Sequence, residues 1–291
     1  MARLAFLGSP PAAVPPLRAL VGAGHDIALV VTQPDRRRAR GAGLLPTPVK
    51  AAALELGLAV TDRVDDALDA GAELGVVVAF GRLIKPHVLA KLPMVNLHFS
   101  LLPRWRGAAP VERAILAGDT ETGVCLMALE EGLDTGPVYA CQRVTIGPEE
   151  TAEELRDRLV EIGTAMLVER LAEGPAGLGE PVPQAGETTY AAKLEHDELR
   201  LDWTRPAAEL HRVVRVGRAL TTWRGKRLLV LRARVASGDR DREPGTLEGT
   251  KVTTGQAALE LMEVQPEGRA PQPADAWLRG VRLQAGERLG S

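Results

Sequence analysis

The run Arg3-Leu4-Ala5-Phe6-Leu7 is almost wholly apolar and stops at Gly8-Ser9-Pro10-Pro11. A strand that is apolar at successive positions is buried on both faces, unlike the alternating strands of a half-solvated sheet. Leu17, Leu20 and Val21 then recur at helical spacing before Gly22 and Gly24, and Ile27 to Thr32 is a second apolar run. Strand, turn, helix and strand in so short a length make a βαβ unit, and such units build parallel sheets. The fold class expected is therefore α/β, a Rossmann-like, mostly parallel sheet with helices on both faces. Gly8-Ser9-Pro10 is not Gly-x-Gly-x-x-Gly, and no acidic residue ends the second strand, so a nicotinamide dinucleotide fits poorly.

The alternation continues down the chain. Thr47 and Pro48 open a helix that Gly57 closes, and Leu74 to Ala79 reads as a fully buried central strand leading into Phe80-Gly81-Arg82-Leu83-Ile84. Met94 to Leu97 is a further strand, Pro110 to Leu116 a short helix, and Thr122 to Leu129 and Val138 to Val144 two strands around Gly132-Leu133-Asp134-Thr135-Gly136-Pro137. Thr151-Ala152-Glu153-Glu154 is a capping box ahead of a helix carrying Leu155, Leu159, Ile162 and Met166. Glu173 to Gln184, rich in Gly and Pro, has the composition of a linker. After Pro206 comes a helix with Leu210, Val213 and Val214. Short strand-like runs follow: Arg227 to Val235, Gly245 to Glu248, Lys251 to Thr254, Ala257 to Val264 and Trp277 to Leu283. That pattern suggests a small β-barrel. The expected organisation is one domain over 1–190, a connection over 191–205, and a barrel over 206–291.

Charge is divided between these parts. Residues 205–291 hold 16 Lys and Arg against 10 Asp and Glu, an excess of six positive charges, although the whole chain sums to −2. A basic C-terminal half suits a polyanionic partner. A second basic feature is Arg36-Arg37-Arg38-Ala39-Arg40, set between Pro34 and Gly41, with almost nothing to bury. It reads as an exposed loop whose guanidinium groups suit phosphates. No run approaches the ~18 apolar residues of a membrane span, and Met1 to Gly8 lacks the long apolar core of a signal peptide. A monomeric cytoplasmic protein is the expectation. Cys125 and Cys141 fall on separate expected strands without zinc-site spacing, so two reduced core thiols and no metal are expected.

The chemistry concentrates at Asn96-Leu97-His98-Phe99-Ser100-Leu101-Leu102-Pro103-Arg104-Trp105-Arg106-Gly107. Asn96 and His98, two apart at a strand end, point to one face. In open α/β sheets the carboxyl ends of strands are where ligands bind. Asp134 is a suitable partner for the imidazole. Each residue also has an ordinary use: Asn96 as a turn cap, His98 as a core histidine, Asp134 in an Asx turn. The other four histidines have no comparable context.

Asn96-x-His98, then Ser100-Leu101-Leu102-Pro103, then Leu133-Asp134-Thr135-Gly136 together resemble the formyltransferase family that uses 10-formyltetrahydrofolate. The longer run Ser100 to Pro110 is most similar to the members that act on charged initiator tRNA. The resemblance implies catalysis by Asn96, His98 and Asp134, and contact of Ser100, Leu101, Leu102 and Pro103 with the folate co-substrate. It also implies that segment 80–84 forms part of the pocket wall. Initiator Met-tRNA is the implied partner, met by Arg36, Arg37, Arg38 and Arg40, with Arg40 aligning best with the key arginine of the family's basic insert. The implied C-terminal domain is an oligonucleotide-binding-like barrel that takes tRNA. Relatives with smaller substrates generally lack the insert. Two features depart from the family pattern: Phe99 stands where a small residue is usual, and Val216 to Trp223 lacks the common Pro-containing run.

The implied reaction adds a neutral amine to a formyl carbon, builds charge on the formyl oxygen, and breaks the bond to the folate nitrogen. His98 and Asn96 are expected to donate hydrogen bonds to that oxygen. Asp134 is expected to hydrogen-bond and orient His98, to stabilise the imidazolium, and to help remove the amine proton. Arg104 and Arg106 can meet the folate tail or the tRNA phosphates, or can brace the loop. Competing readings are a formyltransferase for a small amine, a hydrolase that passes the formyl group to water, and a non-catalytic RNA-binding scaffold.

Overall fold

The computed structural model describes residues 1–37, 44–238, 242–284 and 286–290. They separate into two compact units, one of residues 1–111, 121–145 and 156–192, the other of 112–120, 146–155 and 193–290.

In chain order the first part contains β1 (Arg3–Gly8), α1 (Val14–Gly22), β2 (Asp26–Val31), β3 (Arg36–Arg37), β4 (Leu44–Leu45), α2 (Pro48–Glu55), β5 (Val60–Thr61) and β6 (Leu74–Val78). There follow α3 (Pro86–Leu89), β7 (Met94–His98), β8 (Arg106–Gly107), α4 (Pro110–Ala117), β9 (Glu121–Ala128), β10 (Val138–Thr145), α5 (Ala152–Arg170) and β11 (Tyr190–Ala191). Seven strands form one sheet in the order β10-β9-β7-β6-β1-β2-β5. The five from β7 to β5 are parallel; β9 pairs antiparallel with β7, and β10 antiparallel with β9. The connections run outward from β1 to β2 and β5 on one side and through β6 to β7 on the other, so the order reverses between β1 and β6. That is the switch point at which doubly wound sheets open a crevice beyond their strand ends.

Both faces of this sheet are covered, as the unbroken apolar runs require. Ala5, Leu7, Val77 and Met94 share one buried cluster with Val31, Phe80 and Ile84. Leu4, Phe6, Val76 and Val95, of the opposite phase, are buried as well. Asn96 pairs with Val77 and Met127, which puts Asn96 and His98 in phase with Met94. Gly163 of α5 lies against Val124 and Leu97, the other face, where a Cβ would already sit 3.0 Å from Val124. Helix starts follow their caps. Thr47 Oγ1 accepts from Lys50 N at 3.1 Å. In the capping box Glu154 Oε2 accepts from Thr151 N at 2.8 Å while Thr151 Oγ1 accepts from Glu154 N at 3.2 Å.

The second unit holds α6 (Ala207–Val216), β12 (Ala219–Trp223), β13 (Lys226–Ala236), β14 (Leu247–Glu248), β15 (Lys251–Thr253), β16 (Ala258–Pro266), β17 (Gln272–Pro273) and α7 (Ala274–Val281). Its six strands form an antiparallel sheet in the order β12-β13-β16-β15-β14, with β17 beside β16. Among the described residues the pairing is a path from β12 to β14 with no ladder joining its ends. Leu210, Val213 and Val214 of α6 pack with Leu228, Val230, Leu259 and Trp277 in one core, in which Trp223 and Trp277 meet edge to face at 5.4 Å.

Four expectations differ from what is observed. Trp277 to Leu283 is not a strand: α7 covers most of it, with Ala274 and Trp277 buried and an Arg279–Asp275 pair at 2.7 Å one turn apart. A short apolar run does not distinguish the two periods, and the i to i+3 burial decides for helix. Cys125 and Cys141 are not separate thiols; they stand opposite one another in the β9–β10 register and form a disulfide, with Cα atoms 4.1 Å apart. The arginine-rich stretch is not loop throughout, since β3 pairs antiparallel with β4. Finally, Glu173 to Gln184 is not a linker. It belongs to the first unit, contains a turn of 3-10 helix over Gly174–Leu178 with Leu178 buried, and bridges Val182 to Val138.

Candidate active site

β7 delivers Asn96 and His98, and both are buried, 9% and 5% exposed. The turn after β9 carries Asp134 back to them, with its Oδ2 3.6 Å from His98 Nδ1. This is an ion-pair distance and too long for a direct hydrogen bond, so the expected Asp134–His98 hydrogen bond is not formed. The other ring nitrogen, Nε2, lies 2.9 Å from the Trp105 carbonyl oxygen. A carbonyl only accepts, so Nε2 carries a hydrogen and donates it. Nδ1, facing Asp134, is the nitrogen left for chemistry. Among the described residues nothing hydrogen-bonds the Asn96 carboxamide, although the residue as a whole is only 9% exposed. A nearly buried amide without an internal partner is held ready for a partner from outside.

The surrounding turns are built for this geometry. Trp105 and Asp134 adopt positive φ, 58° and 50°, an unusual conformation for residues other than glycine. Both touch His98, and departures of this kind concentrate where structure serves a site. The Asp134 carboxylate accepts the Gly107 N–H at 2.8 Å. Ser100 Oγ donates to the Arg104 carbonyl at 2.6 Å, and Arg104 N–H to the Leu101 carbonyl at 3.0 Å, closing the Ser100-Leu101-Leu102-Pro103 turn. Leu101 seats on β9 at Gly123, where a Cβ would lie 2.4 Å from its Cδ2. Ser100 itself is fully buried, so its hydroxyl is committed to the turn, while Leu101 and Leu102 stay half-exposed. Phe99 is buried. The β6 end supplies Ala79 at φ 46° and a loop on which Leu83 is 80% exposed.

The formyl transferase family model matches residues 2–171, and the model of the formyl transferase C-terminal domain matches residues 193–282. The chain belongs to the formyl transferase family. The methionyl-tRNA formyltransferase of Dinoroseobacter shibae is 46% identical over 298 residues, which cover 97% of this chain and 99% of that protein. That of Symbiobacterium thermophilum is 42% identical over 314 residues, 99% of this chain and 95% of the relative. Among solved structures, HypX from Aquifex aeolicus in complex with tetrahydrofolic acid superposes with a TM-score of 0.65 at 19% identity, over 99% of this chain and 48% of that one. The N-formyltransferase from Helicobacter canadensis, in complex with folinic acid and dTDP-3-aminofucose, gives 0.69 at 16% identity over 90% and 99%. At these identities the likeness is one of fold.

In this formyl transferase the residues expected at the site fall into three groups. Asn96, His98 and Asp134 come together, and Ser100, Leu101, Leu102 and Pro103 form the adjoining turn. Arg36 and Arg37 lie in β3, while Arg38 and Arg40 fall outside the described residues. Arg106, expected at the co-substrate, at tRNA or as a brace, bonds within the protein, its Nε and Nη2 donating to Gln184 Oε1 at 3.1 and 2.7 Å. The residues that sequence reasoning passed over lie in the supposed linker and beyond it. Thr189 Oγ1 accepts from Trp105 N at 2.9 Å, β11 pairs parallel with β8, and Gln184 binds the Asp134 turn. No local pattern marks them, because each acts through a partner about 50 to 84 residues away.

Gly107 combines φ 120° with a position where a Cβ would lie 2.8 Å from the Ala191 carbonyl oxygen. Gly107→Ala is therefore expected to destabilise the fold by roughly 2–3 kcal/mol. It also pushes the N–H away from Asp134, so kcat should fall about tenfold. Urea unfolding and steady-state kinetics check both, and an alanine variant of unchanged stability would contradict the close approach.

Proposed function

We propose that this protein transfers a formyl group from 10-formyltetrahydrofolate to the amino group of methionine carried on initiator tRNA, a step of translation initiation. The observation that carries the reading is the Asn96, His98 and Asp134 constellation, set at a strand end in a chain similar over nearly its whole length to methionyl-tRNA formyltransferases.

The surroundings fit a folate. Leu83 on the β6 loop and Leu101 and Leu102 after β7 offer open apolar surface at the ends of neighbouring parallel strands, as a planar heterocycle requires. The co-substrate supplies the formyl group when bound. Asn96 donates its free N–H to the formyl oxygen as charge grows there. His98 Nδ1, in its protonated form, donates as well, while its Nε2–H stays committed to Trp105 and fixes the ring plane. Each such donor is worth about 10² to 10³ in rate. Asp134 opposes the imidazolium charge and takes up the proton that the attacking amine loses, directly or through a water, and returns a proton to the folate nitrogen as its bond to the formyl carbon breaks. Burial of Asn96 and His98, beside a partly exposed Asp134, limits the access of competing water to the formyl carbon.

Arg36, Arg37, Arg38 and Arg40, with the basic stretch 205–291, serve the tRNA phosphates. Replacing all four arginines by serine is expected to raise KM for tRNA about 10- to 100-fold and to flatten its salt dependence by roughly 0.7 to 0.9 per lost phosphate contact. KM for the folate should stay within about twofold, since those contacts are electrostatic and specific to the polyanion. Unchanged tRNA kinetics would remove these arginines from recognition.

The deciding assay mixes the protein with 10-formyltetrahydrofolate and charged initiator Met-tRNA and looks for formyl-methionine on the tRNA, beside a control without tRNA. Product dependent on tRNA supports the reading. Formyl loss without tRNA would make the protein a hydrolase, and tRNA binding without turnover would make it a scaffold.

A further inference from the structure

We propose that Gln184 is a positioning residue for formyl transfer, one carboxamide that sets the Asp134 turn and the Arg106–Gly107 turn against each other. This deepens the formyl-transfer reading and rests on it. Gln184 lies in the stretch between the two family-matched ranges, 2–171 and 193–282.

A glutamine amide has two donor hydrogens and an oxygen with two lone pairs. Here all four are used. Nε2 donates to the Asp134 carbonyl and to the Gly136 carbonyl, both at 2.8 Å. Oε1 accepts Arg106 Nε at 3.1 Å and Arg106 Nη2 at 2.7 Å. The orientation of the amide is not interchangeable, because the flipped form would face oxygen to two carbonyls and N–H groups to a guanidinium. The consequence is a closed ring of contacts. Gln184 holds the backbone of Asp134, which sits at φ 50°, and holds the side chain of Arg106. The next residue, Gly107, donates its N–H to the Asp134 carboxylate at 2.8 Å. Backbone and side chain of Asp134 are thus fixed from opposite ends by one bracket, and the carboxylate is aimed at His98 Nδ1. Gln184 is more than 45 positions from every residue it holds and touches no reacting atom.

The test is Gln184→Glu. Glutamate has nearly the same shape and keeps Arg106 as a partner, but it loses both donors and turns an oxygen toward two carbonyls. With 10-formyltetrahydrofolate and Met-tRNA, kcat should fall about 10- to 100-fold while both KM values stay within about twofold, the pattern of a displaced catalytic group. In an Asp134→Asn background the same substitution should cost less than about threefold, since its effect runs through Asp134. Hydrogen exchange at the Gly107 N–H should quicken at least about tenfold in Gln184→Glu, whatever the activity. If that variant does not fold, Gln184→Met removes both donor bonds and the Arg106 contacts as well, in a similar volume, and gives the same three readouts. Gln184→Glu with wild-type kcat, an undiminished effect in the Asp134→Asn background, or unchanged Gly107 exchange each overturns the positioning role. A wild-type protein that transfers no formyl group would sink the functional reading alone, and the exchange measurement would still decide the bracket.

Discussion

His98→Ala is expected to lower kcat by about 10³-fold and to leave tRNA affinity within about twofold. The imidazole is buried at 5% exposure at the end of β7, so it adds little to any surface that an RNA can reach. Its contribution is to the developing charge on the formyl oxygen, and loss of one fixed donor in such a site costs about 10² to 10³. The substitution also leaves the Trp105 carbonyl without its 2.9 Å donor and the Asp134 carboxylate without its facing ring. That second loss puts the expected effect at the upper end of the range. Single-turnover formylation at saturating folate, beside a filter-binding measurement with the same tRNA, separates the two quantities. A parallel loss of tRNA affinity would mean that His98 shapes the tRNA site and would count against its catalytic role.

The sequence declared its site more openly than it declared the scaffold around it, and the reason is distance along the chain. Asn96 and His98 are two residues apart on one strand, and a period of two places them on one face without further information. The βαβ opening, the capping box at Thr151 and the cap at Thr47 are similarly local, and each is found where the pattern puts it. What was not legible depends on pairing between distant segments. Cys125 and Cys141 become partners only because β9 and β10 meet in the register that sets those two positions opposite. Trp277 to Leu283 has a composition that suits either period, and only packing of Ala274 and Trp277 into the core makes it a helix. The Gly- and Pro-rich stretch after α5 looked like a connection because it lacks an apolar face of its own. Its value lies instead in single polar contacts, Gln184 to the Asp134 turn and Thr189 to Trp105, which no periodicity encodes.

Asp134→Asn should cost about 10³-fold in kcat while the fold keeps its stability to within about 0.5 kcal/mol, the usual range for a change that breaks no structural device. The expectation of an intact fold is specific. Position 134 sits at φ 50°, a conformation that asparagine tolerates as well as aspartate does. The asparagine side-chain oxygen can still accept the Gly107 N–H, and the two bonds from Gln184 Nε2 end on main-chain carbonyls that the substitution does not touch. What disappears is the negative charge 3.6 Å from His98 Nδ1 and the group able to take the amine proton. Asp134→Ala removes the same charge but also strands the Gly107 N–H and places a residue less suited to positive φ, so it should lose stability as well as rate. Comparing the two variants by urea unfolding and by kcat therefore separates charge from scaffold. An Asp134→Asn protein that keeps most of its kcat would assign the carboxylate to holding the turn and would transfer the proton-accepting role to water.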